Sequence, residues 1–169
     1  RKDYDRQGGA EQFPRLNIEY VVQKVPSGSA KPLGTADALR QAVRAIQSWQ
    51  GRRFAVCNSD NLYSQNAFRL LLEDTHENAM IDYDRSGLHY DIGRIGQWAV
   101  TVKDDAGFLE DIIEKPSLDQ IRRVSDAQGR VGVSMNIWRF SYNDILPFLE
   151  SVPLHPIRQE KELNAAVMM

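Results

Sequence analysis

Three short segments hold residues whose types and spacing suit the binding of charged ligands: KPLGTADAL at 31–39, AVCNSDNLY at 55–63 and DIIEKP at 111–116. In the second, the apolar run Phe54, Ala55, Val56 and Cys57 ends in polar groups with Asp60 at their centre. A run with no polar residue inside it suits a strand covered on both faces, and ligands of open α/β sheets collect beyond the carboxyl ends of such strands. A carboxylate there suits a hard cation such as Mg2+, which takes oxygen ligands and often needs only one or two protein carboxylates beside substrate phosphates. Asp60 equally suits a turn or a helix cap, because Asp and Asn bond their own backbone.

The flanking segments carry the same two-sided reading. Gly34 and Thr35 open a helix, where free N–H groups and the helix dipole can receive an anion or a polar nucleotide edge; Thr35 also suits simple N-capping. In DIIEKP, Pro116 biases Lys115 toward an extended backbone. Neighbours on a strand point to opposite faces, so Glu114 and Lys115 are not expected to pair with each other. At a strand end, Lys115 offers a positive charge to phosphate and Glu114 accepts hydrogen bonds from hydroxyls; a solvated surface pair is the alternative.

Alternating periods predict the elements that position these residues. Residues 17–23 (NIEYVVQ) read as a strand and 24–34 as a loop. Leu39, Ala42, Val43 and Ile46 form one face of a helix beginning at Thr35. A strand at 53–58 and a helix at 67–73 follow, which is the pattern of an α/β sheet. Further on, 79–83 and 97–103 read as strands, with 84–96 as a connection. A turn at 104–107 makes a hairpin with 108–114. Residues 117–126 read as a helix with Leu118, Ile121 and Val124 on one side. Then come a buried strand at 131–140 and helices at 143–150 and 160–169. Residues 1–15 are polar, contain Gly8 and Gly9, and read as a loop or linker; 16–169 read as a single domain.

Composition excludes several classes. With 21 Lys and Arg against 23 Asp and Glu, the net charge of −2 gives no broad attraction to nucleic acid or to an anionic membrane. No apolar stretch approaches the roughly 20 residues needed to span a bilayer, and the N-terminus is not signal-like, so a soluble cytoplasmic protein is expected. Cys57 is the single cysteine, so no internal disulfide forms, and its place in the apolar run suggests a buried structural thiol. His76, His89 and His155 are too scattered for a metal motif, so any metal is expected to be oxygen-bound. Trp138, Phe140 and Phe148 are assigned to the core rather than to an interface, and homo-oligomerisation stays open.

Taken in order, the segments resemble the sugar-nucleotidyltransferase family, whose members join a nucleoside triphosphate to a sugar 1-phosphate and release pyrophosphate. The resemblance runs through Gln23, Leu33 to Asp37, Ser59-Asp60-Asn61, Trp98-Ala99-Val100 and Glu114-Lys115-Pro116. It continues through VSMNIWRF at 133–140 and the E-x-x-L pattern from Glu160. It implies a Rossmann-like open mixed sheet, mainly parallel and flanked by helices, as in GT-A-like nucleotidyltransferases. It also implies that Gln23, Gly34 and Thr35 contact the nucleobase and that Asp60 holds Mg2+ near the α-phosphate. Glu114 and Lys115 then face the sugar 1-phosphate, beside Ala99 and Asn136.

Ala99 and Asn136 stand where the family has Gly, and Ala165 stands where it has Asp. No G-x-G-T-R-like loop is present, and the family's second metal-binding Asp comes beyond residue 169. The expectation is therefore the central part of a nucleotidyltransferase domain, incomplete at both ends. A noncatalytic relative that binds nucleotide or sugar phosphate and regulates a partner is the second reading, slightly favoured by Ala99 and Asn136. A metal-dependent glycosyltransferase ranks last, because Asp60-Asn61-Leu62 is not a D-x-D motif.

Overall fold

The computed structural model describes residues 6–89 and 96–169. Its five-stranded sheet is built around β5 (Gly132–Ser141), which pairs antiparallel with β1 (Arg53–Cys57), β2 (Ala79–Asp84) and β3 (Val100–Lys103). β4 (Leu109–Ile113) pairs antiparallel with β3 through the hairpin expected at 104–107. Every paired strand among the described residues is thus antiparallel, which corrects the expectation of a mainly parallel sheet. The strand, helix, strand order expected locally is present, and β1 and β2 each oppose β5, so they run parallel to each other. What periodicity does not reveal is that β5, arriving from far along the chain, lies between them.

Register explains where a site can form. β1 lies opposite residues 137–141 of β5 and β3 lies opposite Val133, both on the flank of β5 that β2 leaves open. The end of β1 and the start of β3 therefore share one flank, with residues 134–136 between them. β1 itself has β5 as its ladder partner and is otherwise an edge among the described strands. That accounts for a second correction: of β1's residues, Phe54 is buried while Ala55 and Cys57 are exposed, so the thiol is not a core group.

Helices cover both faces. On one face α2 (Thr35–Ala45), α5 (Tyr142–Ser151) and α6 (Leu163–Val167) bury Leu39, Val43, Ile145, Leu149 and Ala166 against Phe54, Trp138 and Phe140. Trp138 and Phe140 stack with centroids 5.7 Å apart, and such a pair adds about 1 kcal/mol beyond its burial. On the other face α3 (Gln65–Glu73), capped by Ser64, sets Ala67 and Leu71 on Ile137. Buried Arg139 fastens the end of α3 to the sheet, donating to the carbonyls of Leu71, Asp74 and His76 and to the Asp74 carboxylate. A cation is favoured at a helix C-terminus, and these partners offset the burial of its two terminal nitrogens, although Nε is buried without one.

Several boundaries depart from sequence expectation. The segment 17–23 forms no strand; it is largely exposed, with Val22 at 83%. Strand propensity needs a ladder, and no described strand runs beside this segment. Residues 1–15 include one helical turn, α1 (Gly9–Gln12), and residues 1–5 and 90–95, part of the expected connection, lie outside the described residues. The helix expected at 117–126 is α4 (Leu118–Arg123), opened by a Ser117–Gln120 capping box; Ile121 is buried and Leu118 is not. Trp138 and Phe140 are core, whereas Phe148 is 38% exposed. No helix among the described residues is long and apolar enough to cross a membrane.

Gly132 carries a constraint of its own. Over its Cα the Asp82 carboxylate accepts from Thr101 Oγ1 at 2.7 Å, from Arg130 at 3.1 Å and from Lys103. A Cβ at Gly132 would lie well inside contact distance of both Asp82 Oδ1 and Thr101 Oγ1. Gly132→Ala is therefore expected to lower unfolding free energy by about 2 kcal/mol, by overpacking and by parting Asp82 from its partners. A denaturant midpoint unchanged from wild type would refute the constraint.

Candidate functional site

The gap between β1 and β3 opens onto a polar cavity of about 240 Å³. Gly34 and Thr35 reach it from the start of α2, Asn58 from the end of β1, Glu114 from the end of β4 and Asn136 from β5. Arg158, Glu160 and Glu162 close it from the segment leading into α6, and Asn164 from the first turn of that helix. Segments far apart in sequence thus supply one wall each. A larger cavity of about 470 Å³, near the tip of the β3–β4 hairpin, holds none of the residues that the family resemblance assigns to ligand binding.

Hydrogen bonds hold the gap open. The Tyr63 hydroxyl lies 2.8 Å from Met135 O and 3.2 Å from Asn136 O, and it accepts from the Asn58 N–H at 3.2 Å. Asn61 donates to Met135 O at 3.1 Å. The turn that carries Asp60 is thereby pinned to the β5 carbonyls that no strand pairs. Asp60 is exposed, and no described residue hydrogen-bonds its carboxylate. No group of three or more His, Cys, Asp or Glu side chains among the described residues could hold a metal, so a cation at Asp60 would have fewer than three such ligands from the described residues. That is compatible with Mg2+, which takes much of its shell from water and substrate oxygens.

Backbone strain gathers at the same place. Among the described residues, the non-glycine residues with positive φ are Lys115 at 47°, Asn136 at 54° and Gln159 at 54°. Asn136 lines the cavity, and the other two each adjoin a residue that does. Such conformations cost about 1–3 kcal/mol each and cluster at functional sites. Lys115 is thus not extended as Pro116 led one to expect; the turn from β4 into the Ser117 cap overrides that bias. Its side chain is exposed, and it forms no ion pair with a described residue.

Gly34 is N-cap of α2 at φ 96°, a place expected for Thr35. A Cβ there would meet Lys161 O at 2.7 Å, because segments 33–36 and 161–163 lie side by side: Ala36 N–H donates to Lys161 O, and Leu163 N–H donates to Thr35 Oγ1, each at 3.0 Å. Thr35 therefore supports the start of α6. Gln23 is outside the cavity lining and donates to Gly34 O and Asp37, both at 3.0 Å. Ala99 also lies outside it and accepts from the Ser134 N–H at 3.0 Å.

Charges in the wall are partly matched. Arg158 pairs with Glu162 at 2.6 Å and with Glu114 at 3.3 Å, and Asn164 donates to Glu114 at 3.2 Å. Glu160 is held below the usual carboxylate range by its hydrogen bond from Lys31. Arg158 and Asn164 were missed in the sequence; the available signal was Arg158 standing two residues ahead of the E-x-x-L pattern.

Comparison with known proteins follows the same lines. Over 99% of this chain and 62% of the other, the fold matches the crystal structure of a UDP-glucose pyrophosphorylase complexed with UDP-glucose, with a TM-score of 0.61 at 14% identity. The sequence is 26% identical over 117 residues to a glucose-1-phosphate adenylyltransferase of Koribacter versatilis (strain Ellin345), a match covering 69% of this chain and 27% of that relative. This chain spans less than two thirds of the length of either. The profile of the nucleotidyl transferase family matches residues 2–152, and the chain belongs to that family.

Asp37, behind Gly34, ties the site to stability. It is 1% exposed, and burial pushes its carboxyl up, but hydrogen bonds from Gln23, Arg40 and Gln41 and the Arg40 charge together hold it below its usual value of 3.8. A depressed folded pKa means this stabilisation is complete above the ordinary pKa and is lost as pH falls through the folded one. Asp37→Asn is expected to cost about 2 kcal/mol at pH 7 and to remove part of the destabilisation on acidification below pH about 4. Parallel wild-type and variant curves of stability against pH would show that Asp37 is not the group responsible.

Proposed function

We propose that the complete protein is a sugar-1-phosphate nucleotidyltransferase, converting a nucleoside triphosphate and a sugar 1-phosphate into a nucleoside-diphosphate sugar and pyrophosphate. The observation that carries this reading is the convergence of Gly34, Glu114 and Asn136 on one polar cavity at the strand ends. Membership of the nucleotidyl transferase family supports it. So do the names of the relatives, a glucose-1-phosphate adenylyltransferase and a UDP-glucose pyrophosphorylase, which make glucose 1-phosphate with adenosine or uridine triphosphate the first pairs to assay.

In the proposed reaction a sugar-phosphate oxygen attacks the α-phosphorus and pyrophosphate leaves. The protein's task is to align two polyanions and offset their repulsion, the positioning logic of phosphoryl-type transfer. Glu114 accepts from sugar hydroxyls, while Lys115 draws the sugar phosphate to the rim. Gln23 and Thr35 hold the start of α2, where Gly34 borders the nucleotide. Asp60 holds Mg2+, which when bound offsets charge on the phosphate oxygens. The free flank of β1 is where we place a triphosphate-cradling loop that residues 1–169 do not contain.

The test is pyrophosphate release by the complete protein from Mg2+, each triphosphate and a panel of sugar 1-phosphates. Asp60→Asn changes charge with little change of shape, so circular dichroism should be retained while turnover falls at least about 100-fold. Wild-type turnover in that variant would remove Asp60 from the metal position. Ligand binding without turnover for any pair would instead mark a noncatalytic sugar-phosphate-binding role.

A further inference from the structure

We infer that Asn136 determines which sugar the cavity accepts, its carboxamide reading one hydroxyl of the sugar unit; this rests on the sugar-phosphate reading of the same cavity. Asn136 sits at φ 54°, a conformation that glycine adopts freely and most side chains avoid. If the backbone alone mattered, glycine would serve better. The surroundings hold the conformation: the Tyr63 hydroxyl approaches Asn136 O to 3.2 Å, and the Asn136 N–H donates to Ser134 Oγ at 3.3 Å. Asn136 lines the cavity, and its carboxamide has no hydrogen-bond partner among the described residues. Its two donors and its acceptor are thus available to a ligand.

The wall indicates what that ligand is. Asn58, one register step past the Cys57–Ile137 pair, adds a second carboxamide with no partner among the described residues. Glu114, Glu160 and Glu162 add acceptors, and among the described residues no aromatic ring lines the cavity to stack a base. Its volume of about 240 Å³ is below the roughly 300–1,000 Å³ of pockets that enclose drug-sized ligands. A small polyol fits this chemistry, because hydroxyls both donate to carboxylates and exchange hydrogen bonds with carboxamides. An additional side chain at Asn136 also narrows the space that a bulky sugar substituent would need.

The complete protein, as wild type, Asn136→Gly and Asn136→Ala, is titrated calorimetrically with a hexose 1-phosphate and each of its monodeoxy analogues, and turnover is measured on the same panel. Wild type should prefer the parent sugar over one analogue by at least about tenfold, since a site built to bond a hydroxyl rejects the analogue lacking it. Asn136→Gly should bind that pair within about twofold while melting at the same temperature as wild type or higher. Asn136→Ala should lose the same preference but melt lower, because it keeps the strained Cβ. A preference unchanged in Asn136→Gly, or all sugars weakened equally, overturns the inference while leaving the transferase reading intact if turnover persists. Selective binding that depends on Asn136 without pyrophosphate release upholds the inference and removes the transferase reading. Failure of wild type to bind any member overturns both.

Discussion

Backbone groups at 134–136 of β5 have to be satisfied where β1 has ended and β3 has barely begun, and most of the site follows from how that is done. A buried carbonyl without a partner is costly. Here Ala99 O takes the Ser134 N–H, while Tyr63 and Asn61 reach back to Met135 O and Asn136 O. Side chains thereby replace a missing stretch of ladder. In replacing it they fix the turn that bears Asp60, hold Asn136 in the left-handed region and keep the gap open as a polar cavity. A continuous strand along this flank would satisfy the same carbonyls and leave no room for a ligand.

The apolar core supplies the opposite wall. Trp138 and Phe140 project from β5 onto the face covered by α2, α5 and α6, and Leu149, Val152 and Ala166 are almost fully buried there. Packing α6 against α2 brings 161–163 alongside 33–36, a fit that the Gly34 backbone alone permits. Arg158, Glu160 and Glu162 consequently arrive at the cavity as a result of burying hydrophobic area several residues away. The core is thus a positioning device for the charged segment, and small losses in its packing would be felt as misplacement of the wall.

The sequence made local elements legible because their cues are local. The face of α2, the Ser117 cap and the hairpin at 104–107 each follow from residues a few positions apart. Strand direction was not legible, since whether β1 and β2 are neighbours depends on where β5 inserts, and β5 lies about 50 residues beyond β2. The strand expected at 17–23 is absent for the same reason: Ile, Tyr and Val favour a strand only when a partner edge is present. Order along the chain did lead to the cavity, because Gly34, Thr35, Glu114 and Asn136 line it, although Gln23 and Thr35 are engaged with protein groups. Arg158 was less legible, since its place two residues ahead of the E-x-x-L pattern does not by itself distinguish a wall residue from a solvated one.

Charge decides how the proposed site divides its work. Three carboxylates, Glu114, Glu160 and Glu162, line the cavity against one guanidinium, and Arg158 is already bridged to two of them. At surface-like dielectric a pair of like charges 4 Å apart repels by roughly 4 kcal/mol, so a phosphate seated deep among these carboxylates would be opposed. Neutral hydroxyls meet no such opposition and gain acceptors. On the proposed reading the sugar ring therefore enters the cavity, and its phosphate stays at the rim. There Lys115, exposed and without an ion pair to a described residue, and a cation held by Asp60 have charge to offer. Recognition of the sugar and neutralisation of the phosphates then fall to different groups, the first enclosed between β1, β4 and β5, the second carried on the turns that follow β1 and β4.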